Sequence, residues 1–308
     1  MLQAVTEDIA RLPDCSVVTT LETGFHLSPN IEVIRVDRPN DESALFQRML
    51  GEVDAVLVIA PETEGVLAQR CRQVVVANVT SWNCSASAIE LCGDKLKLAD
   101  HLTAVGIPTI STLLVDLNQP TASMSFPVVL KPRDGAGSCL TFLVENCQQW
   151  EYADQSFRDA DASHKCLSQP LVRGRALSVG VNISLDGERI ECLPVGEQRL
   201  SDDGRFQYLG GILPASISTK AQATIQDLVI ATCRSIEGLA GYIGLDLLLT
   251  DDESPLIVEI NPRLTTSYIG YRQLYTESIP MRWLLSADKT PPSPCRAGPI
   301  EFAPTGKA

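Results

Sequence analysis

Apolar residues recur with a helical period at the start of the chain. Leu2, Val5, Ile9 and Leu12 share one face and predict a short helix over residues 1–12. The period then shortens. Cys15–Leu21 and Ile31–Val36 are rich in β-branched residues and read as strands. Asp41–Val53 reads as a helix, with Ser43 as its capping candidate. Asp54–Ala60 is a nearly unbroken apolar run, the pattern of a parallel strand covered on both faces. Thr63–Arg72 is helical and Val74–Asn78 reads as another buried strand. Strands alternating with helices predict βαβ units and a parallel sheet in this first part.

The pattern changes after residue 85. Ser85–Val105 reads as one helix stopped by Gly106-Ile107-Pro108. From Phe126 to Leu213 the apolar runs are short and joined by turns at Asp186-Gly187 and Asp203-Gly204, an antiparallel α+β style. Thr219–Leu239 predicts an amphipathic helix with Ile225, Leu228, Val229, Cys233 and Ile236 on one face. Strands follow at Tyr242–Thr250 and Leu256–Asn261, and the proline-rich stretch from Pro291 reads as a loose tail.

Composition narrows the function. With 38 acidic against 25 basic residues the net charge is −13, which argues against nucleic acid as a partner, because phosphate binding needs a basic face. No apolar run approaches the ~18 residues of a membrane-spanning helix. The first residues lack the basic and apolar regions of a signal peptide. The ten cysteines contain no CxxC pair and read as reduced, mostly packed thiols of a cytoplasmic protein, Cys71, Cys139, Cys192 and Cys233 among them. His26, His101 and His164 lie far apart, which counts against a histidine metal site or a Ser-His-Asp triad.

The strongest chemical signal lies between Gly244 and Arg263. Asp251–Pro255 reads as the turn of a hairpin, and a turn centred between Asp252 and Glu253 sets Asp246 opposite Glu259, Leu248 opposite Ile257 and Gly244 opposite Asn261. Cross-strand partners share a face, as do residues i and i+2, so Asp246, Glu259 and Asn261 gather three oxygen ligands. Facing carboxylates repel unless a cation lies between them, and all-oxygen donors select a hard ion, Mg²⁺ or Mn²⁺. The plain alternative is a polar outer face on an edge hairpin.

Weaker signals accompany it. Phe126–Ser138 is an apolar strand that delivers Lys131 and runs into a glycine loop, able to bring backbone N–H groups and a point charge to phosphate oxygens. It is not a Walker A loop, since no GK[ST] follows the glycines. Cys92–Lys97 places Lys95 at a helix start, and Leu167–Gly174 is an apolar link whose backbone can present an adenine-binding edge. Gly210 and Gly211 interrupt a strand-like run, marking a bulge or the close approach of a ligand.

In this order the features resemble the ATP-grasp superfamily of carboxylate–amine ligases. The matching pieces are Asp94-Lys95 ahead of Gly106-Ile107-Pro108, Lys131-Pro132 before the glycine loop, the hinge with its late Gly174, Gly241–Leu249, and the VEINPR strand Val258–Arg263. The resemblance covers roughly residues 85–270. It implies an ATP-grasp fold of class α/β plus α+β, with an N-terminal parallel α/β domain over 1–90. Two α+β subdomains enclosing ATP follow over 91–168 and 169–290, with a tail over 291–308. Gly210–Pro214 together with Glu259–Tyr268 is similar to the tyramine–L-glutamate ligases of methanofuran-type coenzyme synthesis.

The resemblance further implies roles. Lys95 and Lys131 contact ATP phosphates, the loop Asp134, Gly135, Ala136, Gly137 and Ser138 closes over them, and Gln169, Pro170, Leu171 and Val172 form the adenine hinge. Asp246, Glu259 and Asn261 hold Mg²⁺ or Mn²⁺, and Arg263 with Lys131 serves the transferred phosphoryl group. Arg199, Gly210 and Gly211 are candidates for substrate contact. The implied reaction joins a small-molecule carboxylate to an amine through an acyl phosphate, with a homodimer as the base-rate assembly.

Four departures from the pattern stand out. Gln169 replaces a common Glu, Ala176 stands where many members have a ribose-binding acid, and Gly244 where some have an Arg. The chain opens on a helix where such domains usually open on a strand and glycine turn, the expectation being an absent or misassigned first unit. Another ATP-grasp amino-acid or coenzyme ligase, or a non-catalytic nucleotide-binding protein, are the competing readings.

Overall fold

The computed structural model describes residues 1–117, 125–135, 137–162, 165–284 and 299–303, the side chains of residues 39 and 40 excepted. The first helix, α1 (Leu2–Ile9), buries Val5 and Ile9 as its spacing predicts. Strands β1 (Val18–Glu22) and β2 (Glu32–Val36) pair in parallel, and β1 runs into a turn at Gly24, φ 98°. Helix α2 (Pro39–Met49) begins on a proline, whose fixed φ suits a first helical turn, so Ser43 lies inside the helix and not at its cap.

Two strand expectations give way here. Of the run 54–60 only β3 (Ala55–Val56) pairs. The valines after Arg72 end α3 (Val66–Val76): Leu67, Cys71 and Val74 bury one helical face, while Val75 and Val76 are 67 % and 87 % exposed. Helical spacing of the buried positions overrides the β-branched composition. β4 (Thr80–Ser81) pairs in parallel with β3.

The single helix expected over 85–105 is two, α4 (Ala86–Gly93) and α5 (Lys95–Ala104). Asp94 adopts an extended conformation and accepts from the Lys97 N–H at 3.1 Å, capping α5 and placing Lys95 at its first position. Next come β5 (Leu113–Leu114), β6 (Val128–Pro132), β7 (Phe142–Val144), α6 (Cys147–Asp159) and β8 (Cys166–Pro170). The four strands form an antiparallel sheet in the order β5-β8-β6-β7, packed on Trp150 and Phe157 of α6.

The remaining elements are β9 (Arg175–Ile183), β10 (Ile190–Cys192), β11 (Gly196–Leu200), β12 (Tyr208–Leu213), α7 (Thr219–Arg234), β13 (Gly241–Leu249), β14 (Pro255–Asn261), α8 (Ser267–Leu274), α9 (Ile279–Leu284) and β15 (Ile300–Phe302). Their strands form an antiparallel sheet in the order β14-β13-β9-β11-β12-β15, with β10 pairing β9. One core joins this sheet to the first part of the chain: Val181, Leu245 and Ile257 belong to the same cluster as Leu67 and Ile89, and as Ile225 and Val229 of α7. Buried thiols fill gaps in it, with Cys71 and Cys84 pushed up to about 12 by burial, whereas Cys139 and Cys147 are exposed. No helix among the described residues is long and apolar enough to cross a membrane.

Within the stretch expected to be a loose tail, Ile300–Phe302 is a strand on β12, with Ile300 and Phe302 buried at period 2. Gly210 (φ 134°) and Gly211 make this possible. A Cβ at Gly210 would overlap the Phe302 carbonyl, and one at Gly211 would lie 2.7 Å from the Phe302 ring. The close approach that these glycines signalled is that of another strand.

The N-terminal helix is fastened by a buried acid. Asp8, 1 % exposed, accepts from Tyr268 Oη at 2.8 Å and Arg272 Nε at 2.7 Å, and Arg272 also donates to Glu7 at 2.6 Å. Asp8→Ala strands a tyrosine hydroxyl and half of a guanidinium, and is expected to cost about 2–3 kcal/mol, read from the denaturant midpoint. A loss below 0.5 kcal/mol would show that the fastening contributes nothing.

Candidate active site

The two antiparallel sheets line a cavity of about 780 Å³. Alternation along β6 sends Leu130 into the core and Val129 and Lys131 to the cavity. Lys131 is only 7 % exposed, and burial lowers its ammonium pKa to about 8, against the pull of Glu259. Lys95, held at the start of α5, donates to the Gly135 carbonyl at 2.8 Å and lies 3.5 Å from Glu259 Oε1. Asp94 in turn grips Arg133 through two bonds of 2.8 and 2.7 Å, tying the α4–α5 junction to the end of β6.

The hairpin β13–β14 sets Asp246 opposite Glu259 and Gly244 opposite Asn261, the two site pairings expected from the sequence, although the turn is centred on Asp252, with Leu249 opposite Pro255, and not between Asp252 and Glu253. Beyond Asp246 the pairing slips by one residue. Leu247 meets Ile257 and Leu248 meets Leu256, so Leu248 and Ile257 are not partners, and Val258 is the extra residue of a bulge. Asp246 keeps some surface toward the cavity but is ringed by protein. That desolvation, with the Glu259 charge alongside, raises its carboxyl pKa to about 7. Gln198 Nε2 and Asn261 Nδ2 oppose the rise by donating to it at 2.9 and 3.2 Å. Among the described residues no three or more His, Cys, Asp or Glu side chains gather as a metal site. The donor set here is two carboxylates and an amide, and it fits a hard divalent ion that takes further oxygens from a substrate.

Arg263 lines the cavity and is fixed at three points: Nε to Glu62 at 2.7 Å, Nη1 to the Leu264 carbonyl at 3.1 Å and Nη2 to Asn261 Oδ1 at 3.4 Å. At the other end, Gln169 is buried and its Nε2 donates to Thr112 Oγ1 at 2.8 Å. Residues 169–174 line the wall beside Ala176 and Leu248. In the glycine loop, Ser138 donates to the Phe206 carbonyl at 2.7 Å.

Lys95, Lys131, Gly137 and Ser138, the link from Gln169 to Val172, and Asp246, Glu259, Asn261 and Arg263 thus share one cavity. Asp134 turns away to Lys165 at 3.1 Å, Gly135 takes part through its carbonyl, and Ala136 lies outside the described residues. Arg199 does not reach the cavity. Alternation along β11 turns Gln198 and Leu200 inward, and Arg199 pairs outward with Glu301 at 2.7 and 3.0 Å. Gly210 and Gly211 do not line the cavity either. Sequence reading missed Gln198, although strand alternation could have found it. It also missed Glu62, Tyr208 and the hydroxyls of Thr265 and Ser267. Thr265 fills the space beside Gly244, where a Cβ would overlap it.

Residues 92–267 match the family model of the ATP-grasp domain, and residues 15–89 that of the pre ATP-grasp 3 domain. The tyramine–L-glutamate ligase of Methanocaldococcus fervens is 26 % identical over 245 residues, 79 % of this chain and 70 % of that protein. The D-alanine–D-alanine ligase of Haemophilus ducreyi is 29 % identical over 211 residues, 63 % of this chain and 65 % of that protein. The crystal structure of the L-amino acid ligase from Bacillus licheniformis superposes with a TM-score of 0.73 at 17 % identity, covering 90 % of this chain and 69 % of that one.

A cation between Asp246 and Glu259 would relieve their repulsion. Millimolar Mg²⁺ or Mn²⁺ with ADP is expected to raise the melting temperature by several degrees, since ligand at about 100 times its Kd stabilises by about 2.7 kcal/mol. Asp246→Asn with Glu259→Gln should abolish the metal-dependent part of that shift, measured by differential scanning fluorimetry with and without EDTA. An undiminished shift in the double variant would remove the hairpin from metal binding.

Proposed function

Because this chain belongs to the ATP-grasp domain family, we propose that it is an ADP-forming ligase that joins a small-molecule carboxylate to an amine. The observation that carries this reading is the convergence of Lys95, Lys131 and Arg263 on the facing acids of the β13–β14 hairpin within one cavity. Such a group serves phosphoryl transfer between two anions, where the barrier is mainly electrostatic.

Adenine would lie along residues 169–172. With the Gln169 nitrogen committed to Thr112, its carbonyl is the end that can accept from an exocyclic amine. Lys131 and Lys95 would hold the phosphates, and Arg263 the transferred group. Asp246, Glu259 and Asn261 would hold a divalent ion, which would supply neutralisation of the charge on the phosphates. A substrate carboxylate oxygen attacks the γ-phosphorus and the bond to the β–γ bridging oxygen breaks, leaving ADP and an acyl phosphate. The amine nitrogen then attacks the carbonyl carbon, inorganic phosphate leaves with its electron pair, and the nitrogen gives up a proton. The bond from Ser138 to the Phe206 carbonyl keeps Gly137 and Ser138 at the cavity wall, where they would limit the access of water to the acyl phosphate.

Glutamate and tyramine are the first substrate pair in this reading, on the strength of the methanogen relative's name. It carries with it domains over 1–90, 91–168 and 169–290, a cytoplasmic location and a homodimer as the default assembly. Incubation with Mg-ATP, hydroxylamine and a panel of carboxylic acids is expected to give a hydroxamate and ADP with one acid. Asp246→Ala or Glu259→Ala should lower that rate about 100-fold or more. ATP binding with no hydroxamate from any acid would favour a nucleotide-binding protein without ligase activity.

A further inference from the structure

We infer that Glu62, in the segment between β3 and α3, is a positioning residue that aims Arg263 at the anionic end of the nucleotide. The inference rests on the reading above for what Arg263 faces, and on the geometry of the pair for how it is held. The two side chains come from positions 201 residues apart and meet at 2.7 Å. They are 11 % and 20 % exposed, so water screens them little.

A guanidinium has five N–H donors. Glu62, the Leu264 carbonyl and Asn261 Oδ1 take three, one from each nitrogen. One N–H on each terminal nitrogen is left over, enough to grip one phosphoryl or acyl-phosphate group at two oxygens. Of the three fixed points only Glu62 is charged and short, and the other two lie next door in sequence. Without it, Arg263 remains under the attraction of the carboxylates in its own cavity, where Asp246 already feels its charge. A guanidinium drawn there would compete with the cation.

The surroundings of Glu62 support this assignment. Arg263 lines the 780 Å³ cavity, whereas Glu62 lines a neighbouring one of about 540 Å³, so the ion pair is part of the wall between them. Gly93 at the end of α4 leaves room for it, since a Cβ there would lie 3.2 Å from Glu62 Cβ.

The test compares binding of two Mg-nucleotides to the full chain by calorimetry, and needs neither turnover nor a known acid. One is ADP, and the other is the ATP analogue with an imido bridge between its β- and γ-phosphorus atoms. Glu62→Gln is expected to weaken the analogue about tenfold, about 1.4 kcal/mol, while ADP stays within about twofold. Arg263→Gln should give a similar loss, and the double variant no more than either single one, the signature of a pair acting as a unit. Glu62→Asp, with the charge kept and the reach shortened, should recover part of the affinity. If Glu62→Gln misfolds, Gly93→Ala displaces Glu62 by a few tenths of an ångström and should lower analogue affinity in the same direction. Unchanged analogue binding in folded Glu62→Gln, with Arg263→Gln impaired, overturns the inference. Unchanged binding in Arg263→Gln overturns it together with the role given to Arg263. Absence of hydroxamate from the wild type speaks only against the ligase reaction.

Discussion

Two carboxylates placed side by side in neighbouring strands are a cost that a sheet does not accept without a reason, and the rest of the site is arranged around that cost. The β13–β14 register creates the opposition of Asp246 and Glu259. Gln198 and Asn261 temper it with hydrogen bonds, and Lys95 and Arg263 stand within electrostatic reach of it. Even the lowered pKa of Lys131 reflects the balance, because burial works against its charge while Glu259 works for it. Isolated in water these groups would be unremarkable. Enclosed by two sheets they form a field that suits a polyphosphate and a divalent ion.

That field needs a rigid frame, and the frame is assembled from distant parts of the chain. Residues of α3 and α4 share a core with the inner face of the large sheet, so the first part of the chain is packed onto the hairpin that carries the acids. Polar contacts follow the same plan. Glu62 reaches Arg263 from the first part, Asp94 holds Arg133 at the end of β6, and Asp8 fastens α1 to α8, the helix that follows β14. Each is a charged pair with at least one member largely buried, where geometry is held more strictly than at the surface.

The hairpin was the most legible part of the sequence because strand alternation and a short turn narrow the register to within one residue. The expected register is off by one at the turn, which is centred on Asp252, and a bulge at Val258 that no local pattern announces restores the expected pairing from Asp246 onward. Helix and strand were confused at Val74–Val76, where β-branched composition and helical spacing disagree and burial decides. The glycines at 210 and 211 signalled a close approach correctly, but not what approaches, because the partner strand lies far along the chain. Arg199 misled for the opposite reason: charge made it attractive, while its parity on β11 sends it to the outer face. Glu62 carried no local signal at all, since its role depends on a fold that brings positions 201 residues apart together.

The strand Ile300–Phe302 has a bearing beyond its own packing. It covers the outer flank of β12, whose backbone donors and acceptors would otherwise face solvent as a template for another chain. The glycines that admit it leave β12 without side chains to blunt that flank. Removal of these few residues would therefore bare a sticky border. For anyone preparing the protein, the choice of where to place an affinity tag becomes a question of colloidal behaviour: the safer attachment leaves this strand seated, and a chain cut before it that precipitates has not thereby been shown to misfold.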